Sequence, residues 1–196
     1  VMSYLVEGGS SKDFKTTKLL LHNQPEVAHM LLAKIAKVTA DYLNLQIASG
    51  VNAVQIFDSW ALALSWNDYQ EFSHRYIQEI IANLNRKDIP VISFCKGSSV
   101  FAPIMAEAKP DVVSVDWNAD LLNIKKSLPA GIAVQGNLDP HILYADKPVI
   151  KREILRLFER MRGENGFIFN LGHGIMPDIP FDHVKYAIDV IKDFKY

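Results

Sequence analysis

Short apolar runs alternate with longer amphipathic segments along this chain. Each apolar run is bounded by turn residues, which is typical of strands that are buried on both faces of a parallel sheet. The runs predict strands over 53–57, 91–94, 112–115, 132–134 and 167–169. Because the succession of strand, loop and helix recurs about five times, the pattern predicts an α/β fold with parallel strands.

The amphipathic segments predict helices over 25–49, 69–84, 148–161 and 184–191. Pro25 suits the first turn of the first helix, and Gly50 is placed to end that helix. The apolar residues of this helix recur at roughly helical spacing; they are Val27, Met30, Leu31, Ile35, Val38 and Leu45. The sequence contains no linker or low-complexity segment, so we expect one domain or part of one.

The repeated strand–helix unit is shared by two architectures, the doubly wound sheet and the eight-stranded barrel. Both place their chemistry at the carboxyl ends of the strands. Here each predicted strand is followed by a polar loop; the loops cover 58–60, 95–97, 116–117, 135–140 and 170–174. We therefore expect the functional side chains to lie at this end of the sheet, whichever architecture is correct.

Composition removes several classes of function. The chain has 196 residues, of which 49% are hydrophobic, and its net charge is −1. This supports one sizeable core, and the absence of a basic stripe predicts no nucleic-acid partner. The sequence shows no apolar run near the roughly 18 residues of a membrane span and no signal peptide, so no membrane partner is expected. Cys95 is the single cysteine, which excludes an internal disulfide and a multi-thiolate zinc site and favours a cytosolic protein.

A histidine between two glycines, Gly172-His173-Gly174, follows the last predicted strand. Glycine permits positive φ or a close approach to a ligand, and histidine can donate or accept a hydrogen bond near neutral pH. A simple turn with a structural histidine would have the same sequence. Because the motif follows a strand end, the pattern favours a functional role for His173.

Other polar residues at strand ends and in loops leave two readings open. Asp58 and Asp116 could act as a base or orient a substrate N–H, but aspartate at such a position is also a common helix cap. Ser59 lacks a Gly-x-Ser-x-Gly elbow, so a serine nucleophile is not expected. The glycine-rich stretch 7–11 could hold an anion through its backbone, but it lacks the ending of a nucleotide loop and a flexible loop is favoured.

The remaining candidates are interpreted as structural. The stretch 137–140 is typical of a turn that leads into a helix, and Cys95 is typical of a packed thiol. The other histidines show no metal-binding spacing and are expected to be structural or exposed; they are His22, His29, His74, His141 and His183.

Five phrases of the chain, taken in order, resemble the uroporphyrinogen decarboxylase family; they are VMSYLVEGGSS, IFDSWA, VVSVDW, VQGNLDP and FNLGHGIMPD. The resemblance covers essentially the whole chain, and five phrases in the family's order are a specific signal. It implies the carboxyl-terminal part, about five βα units, of a (β/α)8 TIM barrel. Residues 1–196 would then be one partial domain.

The resemblance also implies an activity and a site. Family members are carboxy-lyases that remove carbon dioxide from the four acetate side chains of uroporphyrinogen III and give coproporphyrinogen III in haem and tetrapyrrole biosynthesis. The implied protein is a cytoplasmic homodimer that uses no cofactor and no metal, with uroporphyrinogen as its small-molecule substrate. Tyr4, Ser59 and His173 match substrate-binding positions of the family.

Two of the family's substrate-binding features find no match in this chain. These are an arginine-rich loop and the aspartate that binds the central pyrrole N–H groups, and both would lie upstream of Val1. We therefore expect the chain to be a piece of a longer enzyme, inactive by itself, and its catalytic residue stays unknown.

Two alternatives to the decarboxylase interpretation stay open. Corrinoid-dependent methyltransferases of the same superfamily bind zinc with one histidine and two cysteines. Where they have His-x-Cys this chain reads Ser93-Phe94-Cys95, and where they have a later cysteine it has His173, so two of the three ligands differ. The second alternative is a non-catalytic binding or assembly module.

Overall fold

The computed structural model describes residues 1–195. Its centre is a five-stranded parallel sheet in which the strands lie in chain order. The strands are β1 Val54–Asp58, β2 Val91–Cys95, β3 Val112–Ser114, β4 Ala133–Leu138 and β5 Phe167–Leu171. A doubly wound sheet reverses its strand order at a switch point, whereas a barrel adds strands in one direction. The observed order confirms the prediction of a partial TIM-type barrel.

Helices connect and precede the strands. They are α1 Met2–Glu7, α2 Lys15–Asn23, α3 Pro25–Ala48, α4 Trp66–Tyr69, α5 Arg75–Ala82, α6 Ser98–Glu107, α7 Leu121–Ser127, α8 Lys147–Arg160 and α9 Phe181–Asp193. A π-helical turn, Gln70–His74, joins α4 to α5, so the predicted helix 69–84 is one helical run with a bulge in it. Short 3₁₀ turns at Ala61–Ala63 and Pro140–Tyr144 follow β1 and β4.

The two faces of the sheet have different surroundings. Side chains alternate between the faces of a strand, and one set packs with the helices; it includes Ile56, Val91, Val113 and Val134, each at most 6% exposed. The other set faces the concave side, where Phe57 is 65% exposed and Ile168 is 41% exposed. The expectation that every strand is buried on both faces is therefore wrong, because the concave side of this open sheet is only partly covered.

Helix α3 buries a face different from the one its large apolar residues indicate. Val38 and Leu45 are more than 60% exposed, whereas the buried positions are mostly small; they are Ala28, Leu32, Ala36, Ala40 and Leu43. Alanine lets neighbouring helix backbones approach closely. The small residues of α3 therefore form its interface with the adjacent helices.

Strand boundaries also differ from the predicted ones. The predicted strand 132–134 begins one residue later and continues to Leu138, because β4 pairs with β5 along its whole length. The last strand is half-exposed rather than buried, since β5 lies at the edge of the sheet. Among the described helices, none is both long and apolar enough to cross a membrane.

Candidate active site

A cleft of about 630 Å³ runs along the edge strand β1 and α3 and reaches the carboxyl ends of β1, β2 and β5. Tyr4, Ser59 and His173, the residues that the sequence predicts as substrate-binding, all line it. They come from α1, from the loop after β1 and from the loop after β5. Asp58 and Lys96 line the same cleft. The fold therefore brings the predicted site residues together from distant parts of the chain.

Tyr4 and Trp60 form one wall of the cleft. The Trp60 Nε1–H donates a hydrogen bond of 3.2 Å to the Tyr4 hydroxyl, and the two rings meet edge to face at 6.4 Å. Phe14 packs on the other side of the indole at 5.2 Å, and the Lys96 ammonium lies 5.9 Å from the centre of that ring. An ammonium over an indole is attracted by the ring's negative face, so Trp60 places a cation beside Tyr4 in the cleft.

The glycine-rich stretch 7–11 ends a helix. Gly8 adopts the left-handed conformation that closes α1, with its N–H bonded to the Tyr4 carbonyl. The Glu7 carboxylate accepts hydrogen bonds of 2.8 Å from the backbone N–H and the hydroxyl of Thr17, and the backbone bond lowers its pKa. A carboxylate beside the glycines disfavours an anion site here, and the stretch anchors α1 to α2.

Asp58 lies beside Ser59, and a hydrogen bond from Ser73 fixes its carboxyl group. The Ser73 hydroxyl, in the π-helical turn, donates a short hydrogen bond to its carboxyl group. Burial raises the pKa of Asp58, while the hydrogen bonds from Ser73 and from the Trp60 backbone oppose this shift. No lysine, arginine or histidine among the described residues pairs with this carboxyl, so Asp58 is a half-buried acid that supports the Ser59–Trp60 turn.

Asp116 is a clamp between loops. It is 1% exposed, and its carboxylate accepts a bond of 2.7 Å from the Gly97 N–H and another from the Ser99 hydroxyl. Its own N–H donates to the Ser98 hydroxyl at 2.8 Å, and its carbonyl accepts from the Asn137 amide at 2.9 Å. The Gly97 and Ser99 hydrogen bonds occupy the carboxylate. A structural role for Asp116 is therefore favoured over a role as a catalytic base.

The glycines around His173 serve packing against a neighbouring loop. A Cβ on Gly172 would lie 2.6 Å from the Trp117 backbone nitrogen, whereas a Cβ on Gly174 would meet nothing within 4 Å. Neither glycine has positive φ. The expected close approach is therefore real at Gly172, but it is to the loop after β3. The His173 ring meets Phe94 at 5.9 Å and Trp117 at 6.4 Å and remains half-buried at the cleft.

The residues interpreted as structural behave accordingly. Asn137 is buried, and its amide also donates to the Ala119 carbonyl at 2.7 Å. Cys95 is 1% exposed and contacts Met105, and burial raises the pKa of its thiol far above the usual range. His141, by contrast, is exposed at the carboxyl end of β4 and contacts Trp117.

Comparison with known proteins places this fold and cleft in a family. The model of the family described as uroporphyrinogen decarboxylase (URO-D) matches residues 1–194. The chain belongs to the URO-D family. It is 47% identical to the uroporphyrinogen decarboxylase of Protochlamydia amoebophila, over 98% of this chain and 53% of the relative, and 44% identical to that of Chloroherpeton thalassium, over 98% and 56%.

A solved structure confirms the fold. A methyltransferase from Methanosarcina mazei superposes with a TM-score of 0.79 at 18% identity, over 92% of this chain and 53% of that protein. The chain thus spans about half the length of the URO-D relatives and of this structural neighbour. No group of three or more His, Cys, Asp or Glu side chains within residues 1–195 could hold a metal ion. Cys95, the thiol that a zinc-binding methyltransferase would use, packs in the helix-side core.

Trp60 and Lys96 line the cleft and Trp117 contacts His173, but reasoning from the URO-D motifs singles out none of the three. Each follows a predicted strand end, so its position in the sequence was a usable signal. What the sequence lacks is the direction of each side chain, and that decides which residue lines the cleft.

The contact of Gly172 with Trp117 gives a matched pair of variants. We consider a chimera, in which this chain is joined to the part of the P. amoebophila relative that lies outside the match. Gly172→Ala should reduce its free energy of unfolding by about 1–3 kcal/mol, because the new methyl group overlaps backbone atoms. Gly174→Ala should change it by less than about 0.5 kcal/mol. Urea unfolding measures both, and equal losses would contradict the assigned contact.

The environment of Asp58 predicts that Asp58→Asn raises the free energy of unfolding by an amount that depends on pH. Because burial raises the folded-state pKa, the acid stabilises the fold below its ordinary pKa of about 4, and that stabilisation is lost as the pH rises through the folded-state pKa. The amide stays neutral, so Asp58→Asn should stabilise the chimera more at about pH 8 than at about pH 4.5. Urea unfolding at both pH values measures this. The exposed Asp41→Asn is the control, and a gain that is independent of pH would contradict the prediction.

Proposed function

We propose that this chain supplies about half of a uroporphyrinogen decarboxylase, an enzyme that converts uroporphyrinogen III to coproporphyrinogen III. The observation that carries the proposal is the convergence of Tyr4, Ser59 and His173 on one cleft at the carboxyl ends of the strands. Membership of the URO-D family supports the same reaction. The proposal includes a cytoplasmic homodimer of the complete protein, a single partial domain over 1–196, and no requirement for metal, cofactor or nucleic acid.

The reaction needs a temporary sink for electrons. Protonation of the pyrrole α-carbon, next to the ring carbon that bears the acetate arm, makes the ring cationic, and the electrons of the C–C bond flow into the ring as carbon dioxide leaves. The exocyclic methylene then takes a proton to become a methyl group, and the ring carbon gives up its proton. Catalysis therefore requires stabilisation of a cationic macrocycle together with binding of its many carboxylates.

The described residues fit the second requirement. Tyr4 and Ser59 offer hydroxyl groups, His173 offers an imidazole and Lys96 offers an ammonium in the same cleft. Hydrogen bonds in which one partner is charged are the stronger kind, so these groups suit carboxylate arms. The cation-stabilising aspartate and the arginine loop that the family resemblance implies would come from outside this chain. Tyr4, Ser59 and His173 thus act in substrate orientation.

Complementation tests the proposal directly. The chimera should form coproporphyrinogen III from uroporphyrinogen III under anaerobic conditions, whereas the chain alone should not, because it lacks the groups that stabilise the cation. The unmatched part of the relative, assayed alone, is the control. Sedimentation should show the chimera as a dimer. A chimera that melts as cooperatively as the relative yet gives no product would overturn the proposal.

Substitution of His173 separates orientation from proton transfer. His173→Asn keeps one donor, so if the ring orients a carboxylate, kcat/KM should fall by an amount equivalent to about 1–3 kcal/mol. A sole general acid would cost more, towards the upper part of roughly 10²–10⁴-fold. We expect that His173 orients a carboxylate. Intermediates with seven, six and five carboxylates should then accumulate in the variant, because weaker binding lets the macrocycle dissociate before all four arms have reacted.

Porphyrin chromatography by carboxyl number measures these intermediates, and His22→Asn, on α2, is the control. Unchanged activity without intermediates would show that His173 is structural.

A further inference from the structure

We infer that His141 is a second carboxylate-binding imidazole, which like His173 contacts Trp117. The inference rests on the proposed function and extends its binding site past the cleft, to the loop after β4. His141 matches none of the substrate-binding positions implied by the family resemblance. The geometry around it nevertheless resembles a built site rather than an incidental surface position.

Trp117 connects the two histidines. His173 meets the indole at 6.4 Å with an interplanar angle of 86°, and His141 meets it at 6.2 Å with an angle of 73°. Both imidazoles therefore contact one half-buried ring, which lies in the loop after β3. A ligand that covers Trp117 would lie close to both imidazoles.

Asp139 sets the orientation of the His141 ring. Its Oδ1 accepts the backbone N–H of His141, which caps the 3₁₀ turn, and also contacts the ring Nδ1; both distances are 2.9 Å. Both ring nitrogens are donors in protonated histidine, and an ionised carboxylate can only accept, so in that form Nδ1–H donates to Asp139. Nε2–H is then left to donate to a substrate carboxylate, and Nε2 has no hydrogen-bond partner among the described residues.

Tyr144 ties His141 to the loop that carries His173. The Tyr144 ring lies 6.3 Å from the His141 ring, and its hydroxyl donates a short hydrogen bond to Asp178. Asp178 belongs to the segment that follows Gly174. The two imidazoles are thus connected through Trp117 on one side and through Tyr144 and Asp178 on the other, so their relative position is fixed.

A purely structural role does not account for the imidazole ring of His141. Its side chain is 56% exposed, so it contributes little to the core. The cap of the 3₁₀ turn is already made by the backbone N–H, which any residue except proline supplies. What the ring adds is a fixed, accessible nitrogen. The substrate carries carboxylates around its whole edge, so a single imidazole cannot hold all of its arms.

Direct binding tests the inference apart from catalysis. Uroporphyrin, the oxidised octacarboxylate, should quench the tryptophan fluorescence of the chimera. His141→Asn should raise its Kd by about three- to tenfold, the scale of one partly exposed charge-assisted hydrogen bond. The effect on coproporphyrin, which has four carboxylates, should be smaller. In turnover, KM for uroporphyrinogen should rise more than kcat falls.

Two further variants control the experiment. His22 has a similarly exposed side chain (58%) beside a carboxylate, Asp68, but it lies on α2 and not in the loops that carry Trp117, His141 and His173, so His22→Asn should leave the Kd unchanged. Asp139→Asn should raise the Kd in the parent chimera but not in the His141→Asn background, because it acts through the imidazole.

The outcomes are separable. A chimera without activity or uroporphyrin binding would reject the proposed function. An active chimera in which His141→Asn leaves the Kd of uroporphyrin unchanged would overturn only the His141 inference. An equal effect of Asp139→Asn in both backgrounds would also overturn it, because it would show that Asp139 acts through the backbone turn alone.

Discussion

The site depends on one buried carboxylate, that of Asp116. A buried charge without a cation is costly unless hydrogen bonds satisfy it, and here the donors are groups of neighbouring loops, chiefly the Gly97 N–H. The Asp116 carbonyl meanwhile accepts from Asn137 on β4. The next residue, Trp117, packs its backbone against Gly172. The loops after β2, β3 and β5 and the end of β4 are thus joined at a single point, which sets the position of His173, whereas Tyr4 and Ser59 are held by α1 and by the loop after β1.

The open concave face explains why the chain has a cleft but not a closed barrel interior. The helix-side core is packed, with Ile150 and Ile154 of α8 fully buried. On the opposite face Phe57 remains largely exposed beside the cleft. The chain spans about half the length of its URO-D relatives, and the proposed activity requires groups that this half does not carry. The contribution that we propose for this half is the binding of carboxylate arms, through hydroxyl, imidazole and ammonium groups of residues that line the cleft.

Much of this could be predicted from the sequence, and the failures have physical causes. The strand–loop–helix repeat located all five strands, because short apolar runs between turn residues have few other solutions. The spacing of Val38 and Leu45 indicated the wrong face of α3, because close packing chose Ala36 and Ala40 for the interface. Gly172 was expected to approach a ligand, but it approaches Trp117. A local sequence pattern indicates whether a segment forms a helix or a strand. Which residue that segment contacts depends on parts of the chain that are distant in sequence.

The sequence by itself determined the parallel α/β class, the placing of polar residues at strand ends and, through its family phrases, the roles expected of Tyr4, Ser59 and His173. The tertiary structure alone decided that these three share a cleft, that the Asp116 carboxylate is occupied by hydrogen bonds from neighbouring loops, and that His141 and His173 both contact Trp117. The reason is that strand order, loop direction and burial arise from contacts between residues far apart in the chain. No local pattern of hydrophobic and polar positions encodes those contacts one by one.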